Sequence, residues 1–555
     1  MRKAVIKWLP DSRRGKMIPL GCNMYVVLKV QNGNGSRLVI VFFVAFSLLL
    51  PCFFSLYSAK IFFKSIHKIT GNRTGRNKMK STRNGSRLAD QGTKEMLPVI
   101  FSLAWPTMLE QLMQTAVQYM DTGMVGVLGT SATAAVGATS TVNWLIGSTI
   151  SAISIGFLAY ISQSIGAGKK EQAKKASGQA VLTVVIVGIF FTILTMGLSS
   201  KVPVWMQVDP SIQKLASSYF LILYAPMLFR TANIIFGTVL RAVGDTKTPM
   251  RVGVAFNVIN IVLNFFLIYS TRTVLIGGKE LVIPGAGWGV QGAAAASAIA
   301  YTIGGIAITV KLWKHTDISP KGQSFLPDSA VLRPCLKVAV PNMFQRFATS
   351  LGYVAFASMI NSLGETATAA HTIANTVESA FYIPGYGMQT AAATLAGNAL
   401  GANDNKKLNS LARAIVPLEV GLMVISGSLL FIFAPILIRL FSSDAQVIRL
   451  GSTVLRMVAV SEPFYGVPIV IEGMMQGVGK TVTPFIFNVA GMWGVRILGT
   501  FICINLLGLG LVSAWGCMIG HNMLLFVLFT LHYFSGRWNP MNKTKVSFQY
   551  KNCKK

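Results

Sequence analysis

Runs of about 20 or more apolar residues recur along almost the whole chain, and this limits the possible folds more than any other feature. An α-helix needs about 20 mostly apolar residues to cross the hydrocarbon core of a bilayer. A transmembrane β-barrel would instead show short segments of alternating polarity. The chain has 555 residues, of which 52% are hydrophobic and only 12% are charged. We therefore expect an all-α polytopic membrane protein.

Twelve such runs lie between residues 96 and 536, and we number them as the first to twelfth spans. The first six form a predicted N-lobe over residues 96–313, at about 97–121, 133–165, 177–199, 212–240, 250–270 and 288–312. A polar linker at 314–333 follows. The last six form a predicted C-lobe over 334–536, at about 335–360, 366–395, 411–434, 447–472, 485–505 and 511–534.

The second half of the chain repeats the first at a constant offset of 235 residues. GTSATAAV at 129–136 corresponds to GETATAAH at 364–371, and VLRAVGDTKTP at 239–249 corresponds to MMQGVGKTVTP at 474–484. Internal duplications of this kind are typical of transporters. Because each repeat has an even number of spans, the two lobes should share one orientation and be related by an axis along the membrane normal.

The formal net charge of +32 is concentrated at the ends of the chain. Residues 1–95 contain 18 Lys and Arg against three acids, and the tail at 537–555 contains six bases and no acid. Nucleic-acid binding would explain such charge, but basic flanks of membrane spans explain it equally and attract anionic lipid. We favour lipid contact and no nucleic-acid partner. The loop charges place both ends of the duplicated core in the cytoplasm.

The basic extension 1–95 also contains an apolar segment at 38–63. It is long enough to form an extra N-terminal hydrophobic helix in the membrane. It could equally lie upstream of the true translation start, at Met79 or Met96. The sequence leaves both alternatives open.

A polar stripe runs along the first span. Glu110, Gln114, Gln118 and Asp121 fall within an arc of about 80° on one helix face. An acid at the centre of a membrane helix costs about 2.5–3.5 kcal/mol on insertion scales, so this face should line a wet cavity. The alternative is that these side chains only form hydrogen bonds between helices.

The C-lobe has polar faces of its own. His371 and Glu378 share one face of the eighth span, Glu462 lies on the tenth, and Arg346 on the seventh is a possible counter-ion for Glu378. Arg346 could instead extend to the membrane interface. Candidate contacts for a bound organic cation, each also explained by ordinary packing, are Tyr119, Trp144, Tyr353, Tyr382, Met388 and Tyr465.

Motifs for catalysis, cofactors or metals are lacking in the sequence. The six cysteines show no CxxC spacing, and His371 has no partner at ligand spacing, so we expect no metal site. The segment 473–481 resembles a P-loop, but five residues separate its outer glycines where the motif has four. No HExxH or GxSxG occurs. We expect no cofactor and no enzyme activity, with a membrane-embedded enzyme as a remote alternative.

Together with the duplication, three segments resemble the multidrug and toxin extrusion (MATE) family, near its bacterial DinF-like and NorM-like members. They are YMDTGMVGVLG at 119–129, the Gly-Ala-Gly turn at 166–168 and LRAVGDTKTP at 240–249. The resemblance implies twelve helices in two six-helix lobes around a central cavity. It also implies a plasma-membrane antiporter, which we expect to be monomeric, exporting cationic or amphipathic organic compounds against H+ or Na+. A lipid-linked oligosaccharide flippase of the same superfamily is the closest alternative.

By this resemblance, Asp121 matches the first-helix acid that binds the coupling ion in many members. Asn260 and Asn264 match a fifth-helix Asn and Asp of the DinF-like branch, so Asn264 replaces an acid, and Glu110 and Gln118 are further candidates for ion coupling. Both H+ and Na+ therefore stay open as the coupling ion. The hypothesis is that protonation of Asp121 from outside releases a bound cation, and deprotonation inside restores its counter-ion.

Overall fold

The computed structural model describes residues 4–5, 29–30, 93–206, 208–276 and 279–542. The apolar segment at 38–63 and the basic tail beyond residue 542 lie outside the described residues. The predicted roles of these two segments are therefore not addressed by the structure.

The six spans of the N-lobe are all helical. In chain order they are Thr93–Gly126, Thr130–Gly166, Lys170–Leu198, the pair Pro210–Tyr224 and Met227–Ala242, Lys247–Leu267, and Gly289–Trp313, with a short helix at Val202–Trp205 before the fourth span. The two helices of the fourth span meet at an angle of 50°. Pro226 lies at this break, where its missing N–H interrupts the helical hydrogen bonds.

The C-lobe also has six helical spans, and the regular α-helix is interrupted in the eighth and in the eleventh. Its spans are Ser329–Asn361, the pair Glu365–Phe381 and Ile383–Gly401, Asn405–Arg439, Ala445–Gly477, the segment Val482–Leu506, and Leu511–Phe534. The eighth span is divided just before Pro384. The eleventh span contains two π-helical stretches, Ala490–Ile497 and Ile502–Leu506.

Nine of the described helices are long and apolar enough to cross a membrane alone, and the bent pair of the fourth span makes a tenth. The seventh span and the two helices of the eighth span do not meet this criterion of length and composition. These are the spans that carry the Arg346 and the His371–Glu378 polar positions predicted above. The described part of the chain is therefore a polytopic helical membrane protein, as predicted.

Contacts divide the chain into two units, Met1–Ser81 with Phe265–Trp288, and Thr82–Asn264 with Gly289–Lys555. In the smaller unit, the described residues form a four-stranded sheet in the order Lys29–Val30, Ala4–Val5, Ser270–Ile276 and Lys279–Ala286. The prediction of an all-helical fold missed this sheet. In the sequence, β-branched residues stand on both sides of Gly277–Gly278, and such a pattern is a recognisable signal for two strands.

The larger unit contains both lobes, and the first span joins them. Met96, Ile100 and Ala104 are buried in one apolar cluster with Leu395 and Leu411 of the C-lobe. The beginning of the first span therefore packs against the eighth and ninth spans. Its later part carries Asp121 to the fifth span of the N-lobe.

Asp209 and Asp444, which correspond in the repeat, both cap helices. The Asp209 carboxylate accepts a hydrogen bond from the backbone N–H of Ser211 at 2.8 Å, and the Asp444 carboxylate accepts one from Gln446 at 2.7 Å. Side-chain acceptors at these positions satisfy N–H groups that the helix leaves free. The duplication thus preserves the start of the fourth and tenth spans.

Candidate functional site

Asp121 lies in a hydrogen-bonded group with the fifth and sixth spans. The amide of Asn264 donates to the Asp121 Oδ1 atom at 2.5 Å, and it lies 3.2 Å from the Oδ1 atom of Asn260. Asn260 and Asn264 are one turn apart on one helix face, so both reach the first span. The Asn260 side chain also contacts the Ser297 hydroxyl at 3.0 Å. We call Asp121, Asn260, Asn264 and Ser297 the Asp121 cluster.

With its oxygen and nitrogen exchanged, the Asn260 amide also contacts Asp121, but the hydrogen bond from Asn264 to Asn260 is lost because two amide nitrogens then lie 3.2 Å apart. Its nitrogen then donates to the Asp121 Oδ1 atom at 3.0 Å, and its oxygen accepts from the Ser297 Oγ and N atoms at 3.0 and 3.3 Å. Amide orientation is assigned from such networks. In this orientation two amides donate to one carboxylate oxygen.

Asp121 has no basic side chain paired with it in the part of the chain that the structure describes. Asn264 is fully buried and Asn260 is 4% exposed, whereas Asp121 is half-buried. No Lys or Arg among the described residues forms a salt bridge with the Asp121 carboxylate. The Asn264 Oδ1 atom is also buried without a partner. The cluster therefore offers carboxylate, amide and hydroxyl oxygens to a proton or a small cation.

Ser297 is the member of this cluster that the sequence did not reveal. It lies in the Ala-rich stretch AAAASAIA of the sixth span, where one serine resembles an ordinary small residue of a helix interface. Ser297 comes to lie near the two asparagines only when the fifth and sixth spans pack together. In the sequence, the only signal was that Ser297 is the single hydroxyl residue of this stretch.

Glu110 is not part of the Asp121 cluster, although the sequence suggested a role in ion coupling. Both Glu110 carboxylate oxygens accept from the Arg241 Nη2 atom at 2.7 Å, and Glu110 is only 7% exposed. Gln114 and Gln118, on the same stripe, are exposed and form no side-chain hydrogen bond with Asp121. The stripe therefore divides into a paired acid, two exposed amides and the Asp121 cluster.

The predicted contacts for an organic cation differ in their exposure and partners. Trp144 of the second span and Tyr353 of the seventh form an edge-to-face pair at 6.3 Å and are 49% and 42% exposed. Tyr119 donates to the Thr376 carbonyl at 3.0 Å and so connects the first and eighth spans. Met388 is fully buried in the apolar core, so it does not line an accessible surface in this structure.

The C-lobe carboxyls lie deep in the protein. The Tyr382 hydroxyl donates to the Glu378 carboxylate, and the Tyr382 ring lies 5.3 Å from that of Tyr465. Glu462 is fully buried, and neither of its oxygens has a hydrogen-bond partner among the described residues. Arg346 forms no salt bridge with Glu378 in the described part of the chain, in contrast to its suggested role as counter-ion.

Glu419 is a third buried carboxyl that the sequence analysis missed. It is fully buried on the ninth span, and both of its oxygens lack a described partner. Gly385 and Gly466 make room for it, since an ideal Cβ at either would lie 2.9 or 3.2 Å from the Glu419 Oε1 atom. A lone acid in the apolar run 411–434 was itself a usable signal.

His371 packs among aromatic rings. Its imidazole lies 5.6 Å from the Phe356 ring and 5.8 Å from the Trp515 ring, in both cases edge to face, and it is 9% exposed. No group of three His, Cys, Asp or Glu residues in the described part of the chain could hold a metal ion.

A duplicated helical bundle whose first span carries an acid, Asp121, without a cationic partner among the described residues indicates a membrane transporter of the two-lobed class. The model of the MatE family matches residues 106–266 and 341–502, one segment in each lobe. The chain belongs to the MatE family.

Curated relatives and solved structures are similar to most of the chain. "Probable multidrug resistance protein NorM" of Thermotoga maritima is 26% identical over 451 residues, covering 81% of this chain and 95% of that protein. "Probable multidrug resistance protein YpnP" of Bacillus subtilis is 27% identical over 453 residues, covering 80% and 95%. A multidrug resistance MATE family transporter solved in an outward-facing conformation aligns with a TM-score of 0.76 at 23% identity, covering 84% of this chain and all of that one. The last likeness, at 23% identity, concerns the fold alone.

Proposed function

We propose that this protein is a secondary active multidrug exporter that couples the exit of cationic or amphipathic organic compounds to the entry of H+ or Na+. The observation that carries the proposal is the Asp121 carboxylate, which accepts from the Asn264 amide but has no cationic partner among the described residues. Such a group can bind a proton, a small cation or a cationic substrate in turn.

The steps of transport follow from competition at Asp121. An organic cation entering from the cytoplasm is attracted to the carboxylate. A proton or Na+ arriving from outside neutralises the same group and releases the cation. The amides of Asn260 and Asn264 hold the carboxylate in place through the cycle. Trp144 and Tyr353, which are both half-exposed, supply aromatic surface for the substrate.

Membership of the MatE family and relatives named as multidrug resistance proteins support export of drugs over lipid-linked oligosaccharide flipping. The same membership supports a transporter without enzyme activity. We place the protein in the plasma membrane as a monomer, with both ends of the duplicated core in the cytoplasm, because the basic loops favour that orientation.

The decisive experiment is efflux of a fluorescent organic cation from proteoliposomes, driven by a pH gradient alone and then by a sodium gradient alone. We expect one gradient to drive efflux and Asp121→Asn to reduce that efflux to the level of empty liposomes. The matched control is Asp209→Asn, because Asp209 is an exposed helix cap and Asn caps a helix equally well.

Wild-type-like efflux by Asp121→Asn would show that this carboxylate does not couple transport. Absence of dye efflux, together with loss of surface glycan when the gene is deleted, would favour the flippase instead.

A further inference from the structure

The C-lobe contains a buried arginine that has no acid paired with it in the described part of the chain. Arg496 of the eleventh span is 4% exposed, its Nε atom is buried without a hydrogen-bond partner among the described residues, and it forms no salt bridge with any of them. Its guanidinium carbon lies 4.4 Å from the centre of the Phe356 ring and 4.8 Å from that of Tyr353. Ring contacts of this kind offset only part of the cost of burying a charge.

Other ring nitrogen atoms in the same part of the C-lobe also lack partners among the described residues, and two of them belong to rings connected to Arg496 through Phe356. The His371 ring packs between Phe356 and Trp515, and both the His371 Nδ1 atom and the Trp515 Nε1 atom are buried without a hydrogen bond among the described residues. The indole nitrogen can only donate. We call Arg496, His371 and Trp515 the N–H cluster.

No acid of the C-lobe forms a described salt bridge with Arg496, although Glu378 lies within its electrostatic reach. Glu378 is two turns from His371 on the eighth span, but its carboxylate accepts from the Tyr382 hydroxyl and forms no described salt bridge with Arg496. Glu419 and Glu462 likewise form no described salt bridge with any base. Buried donors without acceptors are rare and call for a bound water or ion.

The backbone at Arg496 is also unusual. Arg496 lies in the π-helical stretch Ala490–Ile497, and wider helical turns of this kind are frequent at functional sites. Tyr353 covers the guanidinium on one side, while its own ring is 42% exposed and meets Trp144 of the N-lobe. One partly exposed aromatic ring therefore connects Arg496 to Trp144 of the N-lobe.

We propose that the N–H cluster binds a monovalent anionic group, either a small free anion such as a halide or the carboxylate of a transported compound. The Arg496 guanidinium supplies the charge, and Trp515 and His371 supply N–H donors. The electropositive edges of the surrounding rings suit an anion as well. The carboxylate source rests on the proposed export function, whereas the free anion does not.

The first test is thermal unfolding of the full-length protein in detergent, without drug or ion gradient, during titration with sodium bromide against sodium gluconate at equal ionic strength. For a free anion we expect a saturable, bromide-specific rise in Tm. Arg496→Gln should weaken the apparent affinity at least about tenfold, and Trp515→Phe about threefold, because each removes a donor to a charge. Arg439→Gln, an exposed arginine at the end of the ninth span, is the matched control and should bind as wild type.

The second test compares efflux of a xanthene dye with a free carboxylate and of its methyl ester. For a substrate carboxylate we expect Arg496→Gln to reduce export of the acid several-fold more than export of the ester. If Arg496→Gln does not fold, both tests use Arg496→Lys and Trp515→Phe instead. We expect these variants to bind bromide more weakly or to show a smaller preference for the acid dye over its ester. A protein that shows neither a bromide-specific rise nor this difference between dyes lacks the site, whatever its activity towards cations.

Discussion

Gly166 at the end of the second span packs directly against the backbone carbonyl of Asn398 in the eighth span. The repeat forms the same contact in the opposite sense, since Gly401 packs against the carbonyl of Gln163. Each pair is related to the other by the offset of 235 residues, so the contact has the self-complementary form of a two-fold interface. The two lobes meet here around their pseudo-symmetry axis.

The first prediction is that bulk at this crossing separates the lobes. An ideal Cβ at Gly166 or Gly401 would overlap the facing backbone carbonyl, which cannot move aside as a flexible side chain could. We expect Gly166→Val and Gly401→Val each to reduce dye efflux at least about fivefold while the protein is still inserted in the membrane, because overpacking costs about 1–3 kcal/mol. Efflux per inserted molecule is the measurement.

Gly421→Val on the ninth span is the control for this prediction, because nothing lies within 4 Å of its ideal Cβ. It should transport normally. Equal loss of efflux in all three variants would mean that valine harms these helices for a local reason and that the crossing has no special role.

The second prediction concerns the amide that holds Asp121. Asn264→Ala removes the donor at 2.5 Å from the carboxylate, and hydrogen bonds to charged groups contribute about 1.5–3 kcal/mol. We therefore expect coupled efflux to fall about tenfold or more. Asn257→Ala, two turns away on the same helix and also buried, has an Nδ2 atom without a described partner and should have a smaller effect. Equal effects of the two substitutions would show that Asn264 has no special role in holding the Asp121 carboxylate.

The third prediction concerns Glu110 and Arg241, which form a buried ion pair between the first and fourth spans. Breaking a buried pair leaves an uncompensated charge and costs about 3–5 kcal/mol, less where the groups are partly exposed. We expect Glu110→Gln to lower stability by about 3 kcal/mol. Adding Arg241→Gln should restore most of it.

The repeat supports this expectation, because Gln345 and Gln476 stand where Glu110 and Arg241 stand in the N-lobe. They reach each other through Glu472, which accepts from them at 2.9 and 3.0 Å. Denaturant unfolding in detergent of the two single variants and the double variant measures the coupling. A double variant no more stable than Glu110→Gln alone would show that the charge pairing contributes little.

The sequence was sufficient for the architecture because span length and the repeat are properties of consecutive residues. It was less informative about contacts between spans. The periodicity that aligned Glu110 with Asp121 gives the face of one helix, and it cannot show that Arg241, 131 residues away, lies opposite. Met388 shows the same limit of sequence patterns. A methionine beside a predicted helix bend can face either a cavity or the core, and the sequence does not distinguish the two.

The cluster around Asp121 was partly predictable because the family resemblance already connected the first and fifth spans. Asn260 and Asn264 were found by that route, whereas Ser297 required the packing of a third span. A single hydroxyl in a stretch of small residues, such as Ser297, breaks no periodic pattern, and its partners become visible only when the helices are assembled. Glu419 does stand out in the sequence as a lone acid in an apolar run, but its complete burial is visible only in the structure.

The last prediction tests the protonation state of Glu419. Its carboxyl is fully buried, and its two oxygens have no partner among the described residues, so a charged form would be strongly disfavoured there. A neutral carboxyl and a Gln amide have nearly the same shape, and volume-conserving substitutions in a core usually cost less than about 1.5 kcal/mol. We therefore expect Glu419→Gln to unfold at nearly the wild-type denaturant concentration, in contrast to Glu110→Gln, which leaves Arg241 unpaired. Destabilisation of Glu419→Gln as large as that of Glu110→Gln would show that Glu419 is ionised and holds a cation of its own.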